Sequence, residues 1–384
     1  MKGLYIRDEG YTGREVAGQP ALWQETFEAV LAVQQELSSF LNETYETPDV
    51  QIILTGAGSS AFIGEILQYA FQQHTGLRVK AVATTDLVTH PGTFFSPSTP
   101  TLLVSFARSG DSPESVATLQ LAEKLSDTVS HLVITCNPQG RLAEAARSAR
   151  RALVFLLPAG ANDQALAMTS SFTCMALAGL LISDLRHIAA QGETVRKLAG
   201  LGRLLLDKYA PELDVMTELD VKRIVFLGSG PLKGAARESQ LKVIELTDGQ
   251  VNCQYDSFLG FRHGPKAVIN GYTVMVYLFS GDPYVRRYEL DLVSAINRTE
   301  RFLYSIGIGQ GLTLAGSPDL NLTIELGADG SKVPDDVLSI CGVLPAQLIG
   351  LYRSLKLGLN PDAPSKHGGI HRVVQGVTIY PYKD

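Results

Sequence analysis

The chain repeats itself at an offset of about 170 residues. QIILTGAGSSAFIGEILQYA, from Gln51, and RIVFLGSGPLKGAARESQLK, from Arg223, each run from apolar strand through a Gly-Ser-rich turn into a helix. LLVSFARSGD in the first half answers VMVYLFSGDP in the second. HLVITCN and ALVFLLPAG answer RFLYSIGIG and LNLTIELGADG. A period this long exceeds the roughly 20–50 residues of solenoid units and points to a duplicated domain. Each half alternates short β-branched runs with helical stretches, the pattern of a parallel sheet wrapped by helices. The expected fold is α/β, with two doubly wound, flavodoxin-like domains at 45–200 and 215–384. Residues 1–44 form a leader, helical over 20–44, where Trp23, Phe27, Val30, Leu31 and Leu37 fall at mostly helical spacing. The polar stretch KYAPELDVMTELD is expected to connect the two domains.

Charge and hydropathy narrow the function classes. The formal net charge is −6, which draws the chain neither to nucleic acid nor to an anionic membrane surface. MKGLYIRDEGYTGREVAGQP carries no apolar signal region. The run FTCMALAGLLI stops at Ser183 and Asp184, short of the roughly 20 residues a bilayer span needs. Cys136, Cys174, Cys253 and Cys341 are scattered, with no CxxC pair, so reduced thiols and a cytoplasmic location are expected.

In doubly wound sheets, ligands lie beyond the carboxyl ends of the strands, over helix N-termini. Three hydroxyl-rich turns fall there. In GAGSS, Gly58 and its neighbours let backbone approach a ligand, while Ser59 and Ser60 offer hydroxyls. The turn has neither Walker nor GxGxxG spacing, and by itself a plain tight turn explains it as well as a phosphate cradle does. SFARSGDSPES sets Ser105, Arg108, Ser109, Ser112 and Ser115 around a helix start at Pro113. Ser112 as N-cap with Pro113 at the first helical position explains one serine and leaves Arg108 and Ser109 over. MTSSFT places Thr169, Ser170 and Ser171 at a third start. Three such starts in one domain favour an anionic ligand over independent caps.

TGAGSS, SFARSGDSPES and MTSS together resemble a sugar isomerase (SIS) domain, whose loops bind the phosphate and hydroxyls of a phosphosugar. The duplication resembles the tandem SIS domains in the isomerase half of glucosamine-6-phosphate synthase. TGAGSSAFIGE, TTDLVTHP, SFARSGDSPESVA, LGSGPLKGAARES and FRHGPK resemble the AgaS proteins across nearly the whole chain. Those are galactosamine-6-phosphate deaminase/isomerases, also described as tagatose-6-phosphate ketose/aldose isomerases. The resemblance implies that Gly58, Ser59, Ser60, Arg108, Ser109, Ser112, Thr169 and Ser170 bind the substrate.

For catalysis, ARESQLKVIELTDG sets Glu238, Lys242 and Glu245 at i, i+4 and i+7 on one helical face. Spacing alone makes Glu238–Lys242 a surface pair worth about 0.3–0.5 kcal/mol. The resemblance instead implies that Glu245 moves the proton between C1 and C2, with Lys242 either holding Glu238 and Glu245 in place or binding a sugar hydroxyl. In FLGFRHGPKAVI, His263 sits between glycines and charges, whereas His74, His131 and His187 fall at helix or strand ends. The resemblance implies that His263 opens the sugar ring and serves the neighbouring subunit's site, which calls for a homodimer. His367 and His371 have i, i+4 spacing, but two glycines between them speak against a metal-binding helix. No metal and no cofactor are expected.

The chain also departs from the synthase. It begins Met1-Lys2, without that enzyme's terminal cysteine or glutaminase domain. Where the synthase carries a Schiff-base lysine, Gln375 stands, with Lys366 in PDAPSKHGG as a possible substitute. A deaminase can do without that lysine, because the substrate's own amine becomes the C2 ketimine. The expected reaction is hydrolytic deamination of galactosamine 6-phosphate. The alternatives are a plain phosphosugar aldose–ketose isomerase and a non-catalytic phosphosugar sensor; the acidic charge and short leader speak against a DNA-binding sensor.

Overall fold

The computed structural model describes residues 10–313, 318–327, 332–374 and 376–382. The chain divides into two compact units, each built on one five-stranded sheet. The first comprises Leu22–Asp163, Ser170–Gly192 and Ile370–Asp384; the second comprises Met1–Ala21, Gln164–Thr169 and Glu193–Gly369.

The first sheet contains β1 (Gln51–Thr55), β2 (Arg78–Ala81), β3 (Thr101–Ala107), β4 (Val129–Thr135) and β5 (Ala152–Leu156), in the order β2-β1-β3-β4-β5. Every pairing is parallel, with Gln51 opposite Thr101 and Thr55 opposite Ser105. All seven residues of β3, TLLVSFA, are buried, as a central strand covered by helices on both faces requires. Helix Ser170–Ser183, SSFTCMALAGLLIS, is buried on every side. It is the apolar run of the sequence, spent as core. Trp23 closes this core, its indole N–H donating to the Thr173 hydroxyl at 3.0 Å.

The second sheet repeats the plan with β6 (Arg223–Gly228), β7 (Asn252–Asp256), β8 (Thr273–Leu278), β9 (Tyr304–Gly309) and β10 (Leu322–Glu325). Its order is β10-β9-β8-β6-β7, again all parallel. Read from the other edge, this is the order of the first sheet, 2-1-3-4-5 in each copy. The duplication is therefore borne out strand by strand. In both sheets the order reverses between the first and third strands, the switch point where such folds open a crevice.

Some local features differ from expectation. The leading helix starts earlier, at Tyr11, and breaks at Val33 into Tyr11–Ala32 and Gln34–Tyr45. The stretch expected as a connection is helical, a π-turn at Leu205–Tyr209 followed by helix Ala210–Met216, because Leu205, Tyr209, Leu213 and Met216 are all buried. His131 lies inside β4 and is fully buried against Glu123, 3.0 Å away, with burial pushing its pKa down. Asp335–Lys356 is long and apolar enough to cross a membrane, but its apolar window is wholly buried in the second unit. All four cysteines are buried and unbridged. Burial pushes Cys174 and Cys341 up to about 12 and raises Cys136 and Cys253 as well.

Candidate functional site

The turn after β1 is shaped by two glycines. A Cβ on Gly56 would lie 2.5–2.6 Å from the backbone and Cβ of Ser60, so the first turn of helix Ser59–Thr75 backs directly onto it. Gly58 adopts φ +57, where other residues are strained. The helix begins without a side-chain cap, with Ser59 and Ser60 buried at its first turn. The second unit repeats the device: a Cβ on Gly228 would lie 2.3–2.5 Å from the Leu232 backbone, and Gly230 has φ +54.

The turn after β3 lies across the switch point from the first. Ser109 and Ser112 are half-buried there. The Ser109 hydroxyl accepts from the Asp111 N–H at 3.2 Å, and its carbonyl accepts from the Asn137 amide at 2.9 Å. Ser112 holds the N-cap position before Pro113, yet its hydroxyl donates to Glu114 at 2.6 Å and caps no backbone group. Helix Pro113–Leu125 thus also starts without a side-chain cap. Two helix N-termini with hydroxyls at their first turns flank one crevice, and their dipoles favour an anion.

Arg108 and the third helix start are placed differently from expectation. Arg108 is buried and donates to the Arg372 carbonyl at 2.8 Å. The Arg372 guanidinium in turn donates to the Asp163 carbonyl at 3.0 Å and to the Asn162 side chain at 2.8 Å. Arg108 therefore anchors the C-terminal segment. The MTSS start already holds a protein carboxylate: buried Asp163 accepts from the backbone N–H groups of Ser170 at 3.0 Å and Ser171 at 2.9 Å, and from the Ser171 hydroxyl. Thr169 and Ser170 are fully buried. Of the three expected anion sites in this unit, one is satisfied internally. Arg372 escaped sequence reasoning because its partners lie about 210 residues away, and Asp163 because it stands seven residues before the helix it caps, outside any local capping pattern.

In the second unit, helix Pro231–Leu246 turns the charged face of ARESQLKVIEL inward. Glu238 and Lys242 are fully buried, so they are not a surface pair. The Lys242 ammonium lies 3.3 Å from a Glu238 oxygen and 2.5 Å from a Glu245 oxygen. Glu245 keeps 22% of its side chain exposed. One buried cation thus clamps two carboxylates, of which only the outer reaches solvent. Such an array holds a carboxylate at fixed position with one oxygen steadied by a cation, ready to take a proton from a carbon acid. His263 lies on the exposed loop after helix Phe258–Phe261, anchored by the buried rings of Phe258 and Phe261. No hydrogen bond joins its side chain to the carboxylate array among the described residues. Lys366, His367 and His371 are exposed, and Gln375 lies outside the described residues. Among the described residues, no three His, Cys, Asp or Glu side chains gather as a metal site would need.

The turns at the carboxyl ends of the second sheet are held by the unit's own carboxylates, Glu289 and Asp335 at the turn after β8 and Glu325 at the turn after β9. Glu289 accepts from the Ser280 N–H at 2.9 Å. Asp335 accepts from the Gly281 N–H at 2.7 Å and from the Ser280 hydroxyl. Glu325 accepts from the N–H groups of Gly311 at 2.6 Å and Thr313 at 3.1 Å. Burial pushes Glu289 up to about 7 despite its bonds to Ser229 and Ser280. Its neutral form therefore favours the fold, and the stability it contributes is complete below about pH 4.5 and lost as pH rises through 7. Glu289→Gln should match the parent in urea unfolding at pH 4 and exceed it by on the order of 3 kcal/mol at pH 8. Parallel stabilities at the two pH values would refute this.

The SIS domain family matches residues 47–183. A Streptomyces coelicolor protein named AgaS is 46% identical, over 97% of this chain and 96% of its own. The D-galactosamine-6-phosphate deaminase AgaS of a Shewanella species is 38% identical over 97% of this chain and 92% of its own. Among solved structures, the tagatose-6-phosphate ketose/aldose isomerase of Escherichia coli superposes with TM-score 0.88, at 38% identity and 98% coverage of both chains.

Proposed function

The chain belongs to the AgaS family of SIS-domain proteins, and from that premise we propose that it hydrolyses galactosamine 6-phosphate to tagatose 6-phosphate and ammonia. The observation that supports the reading is the buried Glu238–Lys242–Glu245 array, which holds one partly exposed carboxylate against a buried cation.

In this reading Ser60, Ser109 and Ser112 bind the phosphate at the two uncapped helix starts. His263 protonates the ring oxygen while the anomeric hydroxyl loses its proton, giving the open-chain amino aldehyde. Glu245 then removes the C2 proton and returns a proton to C1, and as one amine proton passes to O1 the C1 alcohol and a ketimine at C2 result. Water adds to that carbon and ammonia departs, so substrate plus one water yields ketose plus one ammonia. Lys242 fixes Glu245, and Glu238 balances the buried ammonium. The reading includes a cytoplasmic homodimer in which His263 of one chain serves the other's site. The exposed, phenylalanine-anchored loop suits that reach.

Ammonium release tests the reaction, with galactosamine 6-phosphate, glucosamine 6-phosphate and N-acetylgalactosamine 6-phosphate supplied in turn. Release from the first alone supports the deaminase and its C4 preference. A second reading, isomerisation without deamination, is favoured by the name of the Escherichia coli structure. No ammonium from any sugar, with tagatose 6-phosphate still interconverted with its aldose, would establish it instead.

Ser109→Ala should raise KM for the phosphosugar about 10-fold while changing kcat less than about 3-fold, since a hydrogen bond to a charged group is worth about 1.5–3 kcal/mol. A kcat collapse at unchanged KM in steady-state kinetics would remove Ser109 from phosphate binding.

A further inference from the structure

A cleft of about 550 Å³ opens in the first unit. Its walls are the last turns of helices Gln34–Tyr45 and Ser59–Thr75 and the chain leaving helix Ser170–Ser183. The first two helix ends lead into the amino ends of β1 and β2, whereas the serine turns leave the carboxyl ends of β1 and β3. Cleft and serine turns therefore lie at opposite edges of one sheet, and nothing in the proposed reaction uses the cleft.

The chemistry of the wall is specific. The Tyr45 hydroxyl is buried without a hydrogen-bond partner, a cost that a ligand or water would relieve. Arg186 acts electrostatically on that phenol, is exposed, and makes no ion pair among the described residues. The neighbouring acid Asp184 is engaged by His187 at 2.8 Å. Ser183 gives its hydroxyl proton to the Leu180 carbonyl at 2.7 Å, so its oxygen accepts from the His74 Nδ1–H at 2.9 Å. That bond sets the tautomer and leaves His74 Nε2 as an acceptor while the ring is neutral. Leu41, Leu77 and Ile182 add apolar wall.

We propose that this cleft binds a hexose-sized polyol carrying one anionic group. The anion meets Tyr45 and Arg186, hydroxyls meet His74 and Glu46, and an apolar ring face rests on the leucines. The volume suits a small ligand of that size. Arg186 stands as the cation of a wall that also carries the Glu46 and Asp184 carboxylates and three helix carboxyl ends, so the anionic group must seat against Arg186 and no second one fits. Sugar phosphates and sugar acids share this chemistry. The inference does not rest on the reaction proposed above.

Calorimetric titration of the intact protein with tagatose 6-phosphate, and separately with galacturonate, tests the site. Two equivalents of at least one ligand per chain are expected if the sugar also fills the crevice at the serine turns, and one if it does not. In either case one equivalent weakens at least 10-fold in both Arg186→Ala and Tyr45→Phe, while KM and kcat of the parent reaction stay unchanged. Dependence on Arg186 for tagatose 6-phosphate assigns a phosphate, and for galacturonate a carboxylate. Binding of both ligands that is indifferent to both substitutions, or no binding of either, overturns the proposal.

Discussion

Glu245→Gln should abolish turnover, lowering kcat by about 10²–10⁴-fold, the range a positioned general base contributes. The substitution keeps size and hydrogen-bonding shape but removes the proton acceptor. Lys242 still finds an oxygen at that position, so the clamp that now measures 2.5 Å is weakened and not dismantled. Phosphosugar affinity should therefore stay within about 3-fold of the parent, because the serine turns belong to the other unit's sheet. Exchange of the C2 proton with deuterated solvent, followed by NMR, should vanish together with ammonium release. A variant that turned over normally would remove Glu245 from the chemistry. One that stopped turnover but kept C2 exchange would move it to ketimine hydrolysis.

Lys242→Met should produce the largest combined loss, in stability and in activity. A fully buried ammonium lies between two carboxylates, one of them fully buried. Removing it leaves Glu238 as a buried charge without that cation, and breaking such pairs costs roughly 3–5 kcal/mol. The exposed edge of Glu245 tempers its share, so the lower half of that range is expected in urea unfolding. The double variant Lys242→Met/Glu238→Gln should recover most of the stability, since the buried carboxylate is neutralised along with its partner. It should recover none of the turnover, because Glu245 would still lack its clamp. Recovery of both would make the array a folding element alone.

The duplicated fold was legible because each copy carries its own punctuation. Gly56 and Gly58, and again Gly228 and Gly230, fall where a strand turns sharply into a helix, and backbone crowding forbids a side chain at the first of each pair. The serine turns were legible for a related reason, since strand order puts them at one crevice. Burial of Glu238 and Lys242 was not, because i, i+4 spacing is the same on a wet face and a dry one. What decides is packing against elements elsewhere in the chain. The hydrogen bond of Arg108 was not legible for the same reason: its partner, the Arg372 carbonyl, lies 264 residues away. The cap on helix Ser170–Ser183 comes from Asp163, seven residues upstream, where no local capping pattern points.

The four buried cysteines make this chain convenient to instrument. Thiol reagents attack thiolates at accessible positions, and here burial both covers each sulfur and holds its proton on. A single cysteine introduced beside His263, on its exposed loop, would be the one that a maleimide dye or spin label finds quickly. Distances between two such labels in an assembled protein would then report directly whether that loop approaches another copy of the chain.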